Sequence, residues 1–146
     1  MMAKNSGMTL IELLLVIAII AVLGVSTMSI GQKFLVDNYL QNKTNELVAT
    51  LRTAQLNAMS GKENSQWGVT VTNGQIILFK GSSYAGRDTD FDTSFKIPAS
   101  IGITNDEIVF ALVTGEPNKT ANYNLSTNSG SGQTVSINQL GIIDVN

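Results

Sequence analysis

The chain has 146 residues, 43% hydrophobic and 14% charged, with a formal net charge of −2. That suits one compact domain plus one long element, and offers nucleic acid no overall electrostatic match. With no cysteine and no histidine, a disulfide framework, thiolate or His zinc sites, a His-based triad and an imidazole proton shuttle are all excluded.

The chain opens with a short polar stretch, MMAKNSG, carrying Lys4. Residues 8–30 then read MTLIELLLVIAIIAVLGVSTMSI, with Glu12 as the only ionisable side chain. About 20 apolar residues in a helix suffice to cross a bilayer, and a short cationic leader favours an N-terminus kept in the cytoplasm. A secretory signal needs a shorter apolar region followed by a small-x-small cleavage site; here the run is longer and Gly24-Val25-Ser26-Thr27-Met28 lacks that pattern. A plain anchor has no use for Glu12. An acid inside an apolar span costs about 2.5–3.5 kcal/mol at the helix centre, less near the interface, and marks function when a partner exists. A cut between Gly7 and Met8 would supply the partner, a free α-amine four residues before the acid. The carboxylate is favoured by the helix dipole there, and pairing with an ammonium of its own chain would compete with pairing to a neighbouring copy.

Gly7-Met8-Thr9-Leu10-Ile11-Glu12 followed by an unbroken apolar run resembles the class III signal of type IV pilins and type II secretion pseudopilins. The family usually has Phe where Met8 stands. The resemblance implies cleavage after Gly7 by a prepilin peptidase, N-methylation of Met8, and assembly with other pilin or pseudopilin subunits through the N-terminal helix, with Glu12 as the assembly residue. It also implies a single-pass protein of the inner membrane that passes into a periplasmic or extracellular filament.

The helical pattern continues past the apolar run. Val36, Leu40, Leu47, Leu51, Ala54 and Ala58 form a stripe at helical spacing, and Ser60-Gly61 supplies a stop with Gly61 at C′. No proline interrupts residues 8–60, so a continuous helix would span about 80 Å at 1.5 Å per residue.

Beyond it, Trp67–Thr72 and Gln75–Lys80 flank Asn73-Gly74, the pair that favours a type I′ hairpin turn. Further strands are expected over 91–97, 107–113, 121–126, 134–138 and 141–145, giving an antiparallel sheet. The expected fold is α+β, a pilin-like lollipop. Residues 1–7 are a leader, 8–30 a transmembrane and assembly helix, 31–60 its amphipathic continuation, and 61–146 an antiparallel β head. The stretch LVATLRTAQLNAM at 47–59 with Trp67-Gly68-Val69, and the ending Val135-Ser136-Ile137-Asn138-Gln139-Leu140-Gly141, resemble the GspH/FimT branch of minor subunits. That resemblance implies a minor or initiating subunit, with a small major pilin as the alternative.

Other candidates weigh less. Asp88, Asp90 and Asp92 alternate in RDTDFD and are candidate calcium ligands, since some pseudopilins bind calcium. An EF-hand wants Gly and Glu where Thr93 and Ala99 stand, so a solvated edge is the simpler reading. DNA uptake occurs in this branch, but five basic against eight acidic side chains after residue 60 give −3, the wrong sign for phosphate. No nucleic acid and no cofactor are expected. A membrane-anchored enzyme or sensor would need a nucleophile–base pair, and Ser60 near Lys62 is the nearest approach to one.

Overall fold

A computed structural model describes residues 8–146, apart from the side chains of residues 25–33; the leader, with Gly7, lies outside the described residues. Helix α1 spans Leu10–Met59 and is followed by a short 3-10 turn at Lys62–Asn64. The chain divides into two compact units, one ending at Leu35 and one running from Val36 to Asn146.

In the first unit, Leu, Ile, Val and Ala line the helix on all sides. Every residue from 8 to 24 is exposed, including Leu10 at 77% and Ile20 at 63%. Among the described residues no helix is long and apolar enough to cross a membrane. Side chains are described through Gly24 and again from Phe34, so the expected span to residue 30 includes side chains outside the description.

In the second unit α1 becomes amphipathic. Leu40, Leu47, Leu51, Ala54 and Ala58 are buried, joined by Thr44, Val48 and Thr50. Val36, the first residue of the expected stripe, is only half-buried. Thr44 fills the gap between Leu40 and Leu47, and its hydroxyl donates to the Leu40 carbonyl at 3.0 Å, so a polar side chain enters the core without an unmet donor. The helix stops because Gly61 turns left-handed at φ 66°. The Ser60 and Gly61 N–H groups donate back to the carbonyls of Leu56 and Ala58, closing the last turn.

Two four-stranded antiparallel sheets follow, rather than a single one. Strands β1 (Trp67–Thr72), β2 (Gln75–Lys80), β3 (Asp88–Lys96) and β5 (Glu107–Phe110) lie in the order β3-β2-β1-β5. Strands β4 (Ile101–Ile103), β6 (Ala121–Thr127), β7 (Gly132–Ile137) and β8 (Ile143–Val145) lie in the order β4-β6-β7-β8. The expected hairpin forms with Thr72 opposite Gln75, and Asn73 and Gly74 take φ of 50° and 69°, as a type I′ turn requires. Strand β5 is shorter than expected because the chain turns after Phe110, with Val113 at φ 73° and Gly115 at φ 68°.

Both sheets and the helix stripe feed one core. Val69, Ile76, Ile108 and Phe110 come from the first sheet, and Tyr123, Leu125, Val135 and Ile137 from the second. Strand β6 alternates buried and exposed along its whole length, the signature of a strand with one wet face. Strand β1 is buried on both faces. The Phe79 ring lies over Gly68, where an added Cβ would press on its Cζ and meet the Ile108 carbonyl at 2.7 Å.

Candidate functional site

The start of α1 carries the chemistry that the apolar run alone does not explain. Met8 and Thr9 are non-helical, and the helix begins at Leu10. The Glu12 N–H donates to Thr9 Oγ1 at 3.3 Å, and the Thr9 N–H donates to Glu12 Oε2 at 3.5 Å. This reciprocal pair is a capping box, with Thr9 as N-cap and Glu12 at the third helical position. The Thr9 carbonyl accepts from the N–H groups of Glu12 and Leu13 at 3.1 and 3.2 Å. Glu12 is exposed, as is Met8 at 63%. The acid is therefore set at the positive end of the helix dipole, and among the described residues its second oxygen makes no hydrogen bond. Sequence reasoning singled out Glu12 and passed over Thr9; the signal was present in the Thr-x-x-Glu spacing ahead of the apolar run.

Two of the three alternating aspartates of β3 hold cations with their carboxylates, and the third, Asp90, takes part through its N–H. Asp88 Oδ2 accepts from Lys80 Nζ at 3.1 Å, and its other oxygen accepts the Asp90 N–H at 3.3 Å. Asp92 Oδ2 accepts from Arg87 Nε at 2.7 Å. That hydrogen bond raises the Arg87 pKa above its ordinary value, and the same guanidinium lies 3.8 Å over the Tyr84 ring. Lys80 also sits 3.9 Å over Phe91. The Asp88 and Asp92 carboxylates of the edge strand β3 thus balance a lysine of β2 and an arginine of the loop before β3, and charged side chains on an edge strand keep it from pairing with another chain. Among the described residues no group of three or more acidic, Cys or His side chains could hold a metal ion.

Two clefts open on the second unit. One, about 380 Å³, is lined by Glu46, Thr50, Thr53, Leu78, Thr93 and Phe95. Its Thr50 and Thr53 hydroxyls donate to carbonyls one turn back, and Glu46 is paired with Lys43. The other, about 200 Å³, has Glu116 as its one ionisable group beside Gln66, Ser82 and Asn118. Neither cleft presents a nucleophile with a base beside it. Ser60 donates its hydroxyl to the Asn57 carbonyl, and Lys62 lies 5.0 Å over the Trp67 ring; both belong to the end of α1.

A capped first stretch of α1, apolar on every side and exposed from residue 10 to residue 24, is a surface that its own unit leaves uncovered. Residues 2–28 match the family model described as the prokaryotic N-terminal methylation motif, so the chain carries the class III prepilin signal of type IV pilin-like proteins. No curated protein and no solved structure matches the chain. The motif implies processing by a prepilin peptidase, anchoring in the inner membrane and assembly with other pilins. It points to a structural pilin-type subunit rather than an enzyme.

Proposed function

We propose that this chain is a minor or initiating subunit of a type IV pilus or type II secretion pseudopilus. Its precursor is held in the inner membrane by residues 8–30, cut between Gly7 and Met8, and methylated at Met8. It then moves into a filament in which the N-terminal helices of many subunits bundle together. The observation that carries this reading is that every residue from 10 to 24 is exposed on a helix with no apolar partner in its described surroundings and no polar face. Burial returns about 25 cal/mol per Å² of apolar surface, and neighbouring helices supply that cover in a filament as lipid does before assembly.

Within the bundle, Glu12 pairs with the Met8 amine of an adjacent subunit and so fixes the register between them. A buried acid without its partner costs about 3–5 kcal/mol, which penalises every misaligned stagger. The minor role draws on the resemblance of residues 47–59 and 67–69 to the GspH/FimT branch.

The test is a Glu12→Leu chain expressed with its assembly machinery. It inserts and still loses its leader, yet filament recovery per processed subunit falls by an order of magnitude or more, about the factor that 1.4 kcal/mol gives. Wild-type filament yield from Glu12→Leu would remove the basis for the register.

A further inference from the structure

The second half of α1 carries two charges that its own chain leaves unanswered. From Val36 to the helix end the charged side chains are Asp37, Lys43, Glu46 and Arg52. Lys43 and Glu46 pair with each other. Asp37 is half-buried, and its Oδ1 is closed off from solvent with no hydrogen-bond partner among the described residues. Arg52 is exposed and belongs to none of the ion pairs among the described residues. An acid that has lost part of its water without gaining a donor is costly to keep, so a cation from outside stabilises it more than it would an acid on an open surface.

We infer that Asp37 of one copy pairs with Arg52 of a second copy that lies parallel to it, displaced by fifteen residues along α1, so that copies of this chain stand in succession in the filament. The inference rests on the proposed bundling of α1 and adds which neighbour the helix meets.

Helix geometry carries the argument. Fifteen residues rise about 22 Å, too far for the two groups to meet within one chain. They also make just over four turns, which leaves the groups about 60° apart around the axis. Both lie near the flank turned to the second sheet, where Gln41, one turn past Asp37, accepts from Gln133 of β7 at 2.8 Å. Between them on the exposed side stand Asn38, Asn42, Asn45 and Ala49, none of them charged, so a neighbour meets no like charge on the way. The same displacement sets Ile19 and Ile20 of the copy that gives Asp37 against Phe34 and Leu35 of the copy that gives Arg52; all four are exposed in the single chain, and burying them together is favourable. A contact that takes different residues from each copy, with a shift along the axis, does not close into a ring and extends as a helix. The Glu12–Met8 pair spans only four residues and so engages a nearer neighbour in the same stack.

The test uses the full chain, which has no cysteine of its own. Asp37→Cys and Arg52→Cys chains with different tags are co-expressed with the assembly machinery and treated with a short bis-maleimide, because an ion pair separates two backbones by more than the roughly 7 Å that a disulfide bridges. A dimer carrying both tags is expected, and neither variant expressed alone gives one. Charge reversal is the second arm. Asp37→Arg and Arg52→Asp each lower filament recovery per processed subunit about tenfold, between the weights of an exposed and a buried ion pair. The chain with both changes returns to within about twofold of wild type. A folding fault at residue 37 would not be repaired by a change four turns away. Filaments that form without the two-tag dimer, a cross-link only to a different protein, or a doubly changed chain no better than either single variant overturn the inference. A wild-type chain that keeps its leader and forms no filament overturns the bundling reading, and this inference with it.

Discussion

The two ends of α1 are built from the same kinds of residue and behave in opposite ways. Over 8–24 the apolar side chains surround the axis and all are exposed, whereas over 40–58 they form a stripe whose Leu47, Leu51, Ala54 and Ala58 have no exposure at all. Hydrophobic content does not separate the two segments; its distribution around the helix does. A stripe is satisfied by one surface, and here the two sheets provide it. An apolar cylinder needs cover from every direction, which a domain of this size does not supply from its own chain. The polar groups follow the same division. Thr44 in the core turns its hydroxyl inward to the Leu40 carbonyl, while Thr9 and Glu12 cap the exposed end and leave a charge for outside use.

Separating the two units is the strongest way to break this comparison. A chain of residues 36–146 is expected to fold as a soluble monomer with a cooperative melt, since its core draws on no residue before Leu40. The full chain is expected to stay with membranes or detergent. A head that aggregates or melts without cooperativity would show that the first unit supports the fold.

Single truncations sharpen the point. Leu51→Ala removes a fully buried side chain and should cost the head about 2–5 kcal/mol in denaturant unfolding. Leu15→Ala, at a residue 58% exposed, should leave that unfolding curve unchanged and act only on assembly. Equal effects on the head would contradict the division.

A smaller effect is expected at Gly68, where a methyl group would press on the Phe79 ring and the Ile108 carbonyl. Gly68→Ala should lower head stability by about 1–3 kcal/mol without changing leader removal, and unchanged melting would show that β1 and β5 can part at little cost.

The smallest effect concerns pH. The Tyr123 hydroxyl is buried and has no hydrogen-bond partner among the described residues. Its pKa is raised chiefly by desolvation, and further by the charges of Asp106 and Glu107. The folded state therefore holds this proton more tightly than the unfolded chain, whose tyrosine titrates near pH 10. The native state carries more protons above that pH, so stability is full below about pH 10 and falls as pH rises beyond it. Tyr123→Phe should melt within about 1 kcal/mol of wild type at pH 7 and lose less stability between pH 9 and 11. Parallel losses in the two proteins would remove Tyr123 as the cause.

Local signals made much of this fold legible. Asn73-Gly74 announces its turn because both residues accept positive φ, and Gly61 announces the helix end for the same reason. The stripe from Leu40 to Ala58 was visible as spacing. What escaped depends on partners distant in sequence. The division into two sheets is set by β5 returning to β1 while β6 pairs with β4, and no local pattern encodes that choice. Strand β4 is three residues long, too short to carry an alternation. Val113 at φ 73° ends a β-rich run that composition alone would extend; its N–H donates to the Ala58 carbonyl at 2.9 Å, tying the turn to the helix end. At the candidate site, Glu12 stood out because a charge in an apolar run is conspicuous. Thr9 did not, although its spacing from Glu12 defines the cap. The β3 aspartates were weak calcium candidates on a solvated edge, and the ion pairs of Asp88 and Asp92 escaped because Lys80 precedes Asp88 across a loop and Arg87 lies five residues before Asp92.

In the filament proposed above, the exposed apolar helix becomes an assembly element once a new amine is made at Met8. The intact mass of the protein extracted from membranes tests it most directly. The expected mass is that of a chain beginning at Met8 and carrying one added methyl group. A mass corresponding to a chain that begins at Met1 would contradict it.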